Sequence, residues 1–145
     1  MNSNFKNKIC AFYPVKSTTE LKPVVYFNMI RNHTHSNLIL NLILAGMDLS
    51  NEYFKLHLVI NRSDNKTVFI GNYNLPTSEM SKKGFIKDDN ITVGMFTLGP
   101  IVFDVDDSST FSYNALLVMK DSDDNICDSS HTWFLTRPDQ ETKED

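Results

Sequence analysis

Residues 52–75 read Glu-Tyr-Phe-Lys-Leu-His-Leu-Val-Ile-Asn-Arg-Ser-Asp-Asn-Lys-Thr-Val-Phe-Ile-Gly-Asn-Tyr-Asn-Leu, and this stretch decides the fold class. Phe54, Leu56, Leu58 and Ile60 alternate with Tyr53, Lys55, His57 and Val59. A period of two places one set on each face of a strand, whereas a helix would wind the four apolar residues around its axis. The polar run Arg62-Ser63-Asp64-Asn65-Lys66 interrupts the pattern, and Thr67-Val68-Phe69-Ile70 resumes it with β-branched and aromatic residues. The whole reads as a hairpin closed by a short turn of turn-forming residues.

The same signature recurs toward the C-terminal end. Phe111 to Lys120 is one apolar strand, Asp121-Ser122-Asp123-Asp124-Asn125 is dense in turn formers, and His131 to Thr136 carries Trp133, Phe134 and Leu135. Period two puts Trp133 and Leu135 on one face and Phe134 on the other. The expected inward pair is Trp133 and Leu135, with the lone tryptophan as the core anchor. The alternative is an exposed Trp133 that serves as a contact residue.

Between the hairpins, Ile91 to Leu98 and Ile101 to Val105 are expected as two strands separated by the breaker pair Gly99-Pro100, because proline cannot donate to a ladder. Ile9 to Val15 and Val24 to Ile30 are short apolar runs bounded by Pro14 and Pro23, consistent with strands. Leu38 to Ala45 fits a central strand covered on both faces, and also a short buried helix, since leucine favours both. Thr77 to Asn90 is the longest polar connection and has room for one helical turn. About eight strands with turn signals between them indicate an all-β, antiparallel β-sandwich, immunoglobulin-like in kind. A single domain is expected over residues 1–137, followed by a disordered tail at 138–145, which has no apolar residue after Pro138.

Composition narrows the function classes. The chain has 145 residues, of which 41% are hydrophobic and 22% charged, enough apolar content for one packed core. A formal net charge of -4 offers no broad positive field for phosphate backbones or anionic lipid, so no nucleic acid and no membrane partner is expected. The most apolar run, Leu38 to Leu49, contains Asn41 and Asp48 and falls short of the roughly twenty residues a spanning helix needs. The Asn- and Lys-rich start, Met1 to Lys8, lacks the continuous apolar segment of a signal peptide. Cys10 and Cys127 stand far apart with no partner pattern, which suits a reducing, cytoplasmic setting; a disulfide between the first and last strands is the alternative.

One local motif bears on the fold. Asp107-Ser108-Ser109-Thr110-Phe111-Ser112-Tyr113 resembles the Asp-Ser-Ala-Thr-Tyr-x-Cys run that leads into the sixth strand of immunoglobulin domains. Phe111 takes the place of the corner tyrosine and Tyr113 that of the cysteine. Neither the corner hydrogen bond nor the inter-sheet disulfide is therefore implied, and the resemblance transfers no function.

Candidate chemistry is sparse. His33 and His35, one residue apart, could face the same way on an extended segment and share a transition metal, with Asp48, Glu52 or His57 completing the set. Their surroundings, Arg31 to Asn37, read equally as an exposed loop. Asp104, Asp106 and Asp107 and the later Asp121, Asp123 and Asp124 are acidic enough for calcium. One strand separates the two groups, which puts them roughly 25 to 33 Å apart, at opposite ends of a sheet. Turn formation explains both groups more simply. Lys82, Lys83 and Lys87 form the one basic cluster, a solvated loop or a contact for an acidic partner. No nucleophile elbow or glycine-rich phosphate cradle occurs.

The expectation is a non-catalytic binding or interaction module, in the manner of a small accessory or phage-type component. It needs no cofactor and has a protein partner or forms a homo-oligomer, with Tyr26, Tyr53 and Tyr73 as candidate contact aromatics. The competing expectation is a metal-dependent enzyme using His33 and His35.

Overall fold

A computed structural model describes residues 6–29, 36–82, 86–88, 91–105 and 109–138. The elements are β1 (Lys8–Val15), β2 (Tyr26–Met29), β3 (Leu38–Ala45), β4 (Tyr53–Arg62), β5 (Thr67–Pro76), α1 (Thr77–Lys82), β6 (Ile86–Asp88), β7 (Ile91–Ile101), β8 (Phe111–Lys120) and β9 (Ile126–Pro138). They form two facing sheets, ordered β1-β3-β7-β6 and β2-β9-β8-β4-β5. All pairings are antiparallel except β2 with β9, where Tyr26 faces Leu135 in parallel register. The chain is an all-β sandwich, as the alternating runs predict, with nine strands among the described residues. Of the expected tail, residues 139–145 lie outside the described residues, as do His33, His35, Lys83, Asp106 and Asp107.

The core follows from period two. Phe54, Leu56, Leu58 and Ile60 of β4 point inward, and so do Tyr113, Ala115, Leu117 and Met119 of β8; all are buried. Leu40, Leu42 and Leu44 of β3 meet them from the opposite sheet. The segment that sequence left open between strand and helix is thus a strand. It pairs with β1 on one side and β7 on the other, which secures its backbone groups in two ladders. Its other face is also covered: Asn41 is fully buried, and its Nδ2 donates to Tyr13 Oη at 2.7 Å and to Met95 Sδ at 3.3 Å. Asn41 Oδ1 has no hydrogen-bond partner among the described residues.

Two expectations need correction. Gly99-Pro100 does not separate two strands; β7 runs through it to Ile101. Opposite β3 the register steps from Leu40↔Leu98 to Leu38↔Ile101, so the pair is absorbed in a bulge that spares Pro100 a ladder donor. Gly99 has φ +128°, and a Cβ there would lie 2.6 Å from the Leu38 carbonyl oxygen, so only glycine fits. Ile101 to Val105 does not form a strand of its own, although Phe103 and Val105 remain buried and Phe103 exchanges hydrogen bonds with Ser36.

The second correction concerns the anchor of the core. Phe134 is inward at 2% exposure and Trp133 is outward at 57%. Register sets this: Tyr113 is committed to the interior and stands opposite Phe134, while Trp133 stands opposite Asn114. Residues directly opposite in a ladder share a face. The Tyr113 and Phe134 rings stack with centroids 5.0 Å apart, Phe103 tilts against both, and Phe27 meets Phe134 edge-on at 6.0 Å. Tyr113 Oη lies 3.4 Å from Thr136 Oγ1, its buried hydroxyl partner. Hence Tyr113, which takes the cysteine position in the motif, fills the space between the sheets with an aromatic stack.

Candidate functional site: the outer face of the five-stranded sheet

The residues that alternate with the core set form the outer face of β9-β8-β4-β5. Reading across the strands, one row runs Ile70, Val59, Leu116, His131. The row above it runs Asn61, Asn114, Trp133, and the row below runs Asn72, His57, Val118, Ser129. Trp133 is therefore diagonal to Leu116, within reach of a large side chain. Ile70 is 62% and Leu116 40% exposed, so apolar side chains stand in solvent across several strands. No Asp, Glu, Lys or Arg occurs in these three rows. A patch poor in charge, with a tryptophan at its margin and amide side chains around it, has the composition of a contact surface core.

Charge begins one row further on, where Asn74, Lys55 and Lys120 face outward. Lys55 Nζ lies 2.6 Å from Asp124 Oδ1, and the hydrogen bond raises the Lys55 pKa and lowers that of Asp124. An open cleft of about 380 Å³ lies here, floored by Val118 and bordered by Lys55, His57, Lys120 and Ile126. His57 Nδ1 lies within hydrogen-bond distance of Asn72 Oδ1, at 2.7 Å. At the opposite end, the Arg62 guanidinium sits 4.4 Å from the Phe111 ring centroid and grips Asp64 through two bonds of 2.8 and 2.7 Å. That pairing holds the Asp64 carboxyl down at about 2.

The acidic turn is engaged with its own backbone. Asp121 Oδ1 accepts from the Asp123 and Asn125 amides at 2.9 Å each, and Oδ2 accepts from Asn125 Nδ2. These bonds lower the Asp121 pKa, with the Asn125 amide the largest cause. They are the local side-chain to backbone bonds of a turn. No group of three or more His, Cys, Asp or Glu side chains able to hold a metal occurs among the described residues; that search does not reach His33 and His35.

The candidate aromatics separate. Tyr26 is exposed under the Arg137 guanidinium, 3.8 Å from its ring centroid, and Tyr53 lies on the outer face near Lys55 Nζ. Tyr73 instead belongs to the inner face, opposite Leu56, where burial raises its phenol pKa. It lines a cleft of about 250 Å³ between β5 and β7. Cys10 and Cys127 are both free thiols, and burial pushes the Cys127 thiol up. No helix among the described residues is long and apolar enough to cross a membrane. The residues that sequence reasoning missed at the outer face are Ile70, Val59 and Leu116. The signal for them was present: β4 and β8 keep apolar residues at some positions of their outward set.

No known protein-family profile matches the sequence, and no curated protein matches it. Among solved structures, the chain is similar to Bacteroides uniformis β-glucuronidase, with 12% identity and a TM-score of 0.48 over 77% of this chain and 14% of that one. It is also similar to the CooA pilin subunit from enterotoxigenic Escherichia coli, with 9% identity and a TM-score of 0.48 over 89% of this chain and 98% of that one. The aligned region spans only about a seventh of the glucuronidase, and at these values neither likeness carries a statement about activity or assembly.

Proposed function

We propose that this domain is a non-catalytic interaction module of immunoglobulin-type topology that binds a protein through the outer face of β9-β8-β4-β5. The observation that carries the reading is an uncharged field in which Ile70 and Leu116 are exposed and Val59 and Val118 half-buried, with the exposed Trp133 beside it. Solvated faces of antiparallel sheets are ordinarily polar, so apolar side chains maintained there favour contact over solubility. The topology supports the immunoglobulin-type assignment. One sheet is ordered β1-β3-β7-β6 and the other places β9, β8, β4 and β5 side by side, which correspond to strands A, B, E, D and G, F, C, C′. The free thiols suit a reducing compartment such as the cytoplasm.

A photo-crosslinking residue in place of Trp133 tests the reading in cells that make the protein. The expected result is a discrete protein adduct that disappears when Leu116→Arg is added. A probe at Val102, which is exposed but lies outside this sheet, should give none. Equal adducts at both positions, or none at either, would overturn the proposal.

A further inference from the structure

Every open sheet ends in edge strands whose outward N–H and C=O groups invite another strand, and proteins blunt them with charge, brevity or cover. This sandwich has four edges: β1, β6, β2 and β5. Three are blunted. Alongside β1, the Ile9 amide donates to the Asp128 carboxylate at 2.8 Å and the Pro14 carbonyl accepts from the Val24 amide at 2.9 Å. β2 is four residues long and lies beside Arg137, while β6 is three residues long and carries Lys87 and Asp88.

Among the described residues, β5 has no such protection. It is ten residues long, its one ladder partner among the described residues is β4, and no charged residue occurs from Thr67 to Pro76. Its sequence is also symmetric in kind about Gly71, since Phe69 stands two residues before and Tyr73 two residues after. Both rings lean over the glycine: a Cβ at Gly71 would lie 2.6 Å from the Phe69 ring and 3.3 Å from that of Tyr73.

We propose that β5 pairs antiparallel with β5 of a second copy of this chain, about a two-fold axis at Gly71, joining two five-stranded sheets into one. In that register Phe69 of each copy stands opposite Tyr73 of the other, and Ile70 opposite Asn72. Cross-strand aromatic pairs of this kind stabilise sheets, and a two-fold pairing requires a surface complementary to itself. The edge meets that requirement. Its aromatic positions exchange under the two-fold, and no like charges are brought together across the axis. A strand about 33 Å long offers a narrow contact compared with the roughly 800 Å² per partner of a standard interface. The dimer is therefore weak and appears at high concentration. The inference stands apart from the outer-face proposal, because it uses the backbone edge and inward rings rather than Trp133 and Leu116.

Sedimentation equilibrium of the full chain from about 1 µM to about 1 mM, the range over which weak contacts populate, tests it. The average mass should rise toward twice that of the chain. The variant Asn72→Lys/Asn74→Lys, which alters two exposed side chains, should remain monomeric with an unchanged circular dichroism spectrum. Trp133→Ser should dimerise like the wild type. For the register, Asn72→Cys in a Cys10→Ser/Cys127→Ser background should be captured as a dimer by a short bis-maleimide, and Val102→Cys should not. A wild type that stays monomeric to the top of the range overturns the proposal. So does a dimer that survives the lysine variant and is lost in Trp133→Ser.

Discussion

The inner and outer faces of the five-stranded sheet are made from alternate residues of the same strands, yet they answer to different constraints. On the inner face, Tyr113 and Phe134 stack in a closed aromatic cluster with Phe103, and each ring is held by neighbours on several sides. On the outer face, Trp133 and Asn114 are a pair in the same ladder, and Trp133 is more than half exposed. A large aromatic side chain is thus a cornerstone or a free surface according to a shift of one residue. Hydrophobicity alone does not distinguish the two, and the register does.

The sharpest way to break this comparison is to truncate both neighbours. Phe134→Ala should cost about 3 to 5 kcal/mol, the sum of lost burial and a residual cavity, whereas Trp133→Ala should stay within about 0.5 to 1 kcal/mol. Urea denaturation of the two variants measures both. Comparable losses would mean that the faces are not distinct. Tryptophan fluorescence is an independent check: emission should lie near that of the indole in water and be readily quenched by iodide.

This is also where sequence reading failed. The strand His131 to Thr136 was legible as a strand, but its own alternation is ambiguous, because Trp133, Phe134 and Leu135 are all large and apolar. What settled its facing is the pairing with β8, whose inward set of Tyr113, Ala115, Leu117 and Met119 is unambiguous only once the register is known. Conversely, the hairpin of residues 52–75 and the buried face of β4 were legible, since Lys55 and His57 leave one choice there, whereas the inward facing of Tyr73 on β5 was not. The parallel contact of β2 with β9 joins residues more than a hundred positions apart, and nothing in either segment announces it. At the candidate site, Tyr26 and Tyr53 were visible as surface aromatics and Val59 already fell on the face opposite the core set of β4, while Leu116 stayed hidden in the apolar run of β8 until the register assigned its faces.

A second, smaller test extends the comparison to the four-stranded sheet, whose outer side is covered at Asn41. Replacing Asn41 with Leu removes a buried acceptor that has no partner among the described residues and leaves Tyr13, which is half-buried, to bond with water. An unsatisfied buried polar atom costs about 1 to 3 kcal/mol, part of which the two bonds from Nδ2 offset, so the variant should be neutral or about 1 kcal/mol more stable. A clear loss of stability in thermal unfolding would show that Oδ1 has a partner in solution.

Acid titration probes the rim of the outer face. Asp64 has a folded pKa of about 2 against an ordinary 3.8, so its pairing with Arg62 stabilises the fold above about pH 4 and is lost as pH falls toward 2. Asp121 and Asp124 are shifted in the same direction. The melting temperature should therefore show no contribution from these groups between pH 5 and pH 7, taking about 4 as the upper limit of their titration, and should fall below that limit. Asp64→Asn should show a shallower fall. Equal slopes in the two proteins would assign the acid sensitivity elsewhere.

The smallest effect is expected at the centre of the outer face. Leu116→Ser should change stability by no more than about 0.5 kcal/mol, since the side chain already meets water, while it should abolish the adduct formed from position 133. A larger loss would return Leu116 to the core.

The position of the last strand has a consequence for the order in which the chain acquires its structure. β9 takes β8 on one side and β2 on the other, and its Asp128 receives the Ile9 amide across 119 residues of sequence. During synthesis, the first strands therefore emerge long before the surface that holds them exists, and must wait unpaired on that side until the final hairpin turns at Asp121 to Asn125. Contacts of such separation must be closed against chain entropy before they contribute, which places folding in the slow, millisecond-to-second regime of β-sandwiches. The C-terminal hairpin of the sandwich is the latch for its N-terminal strands.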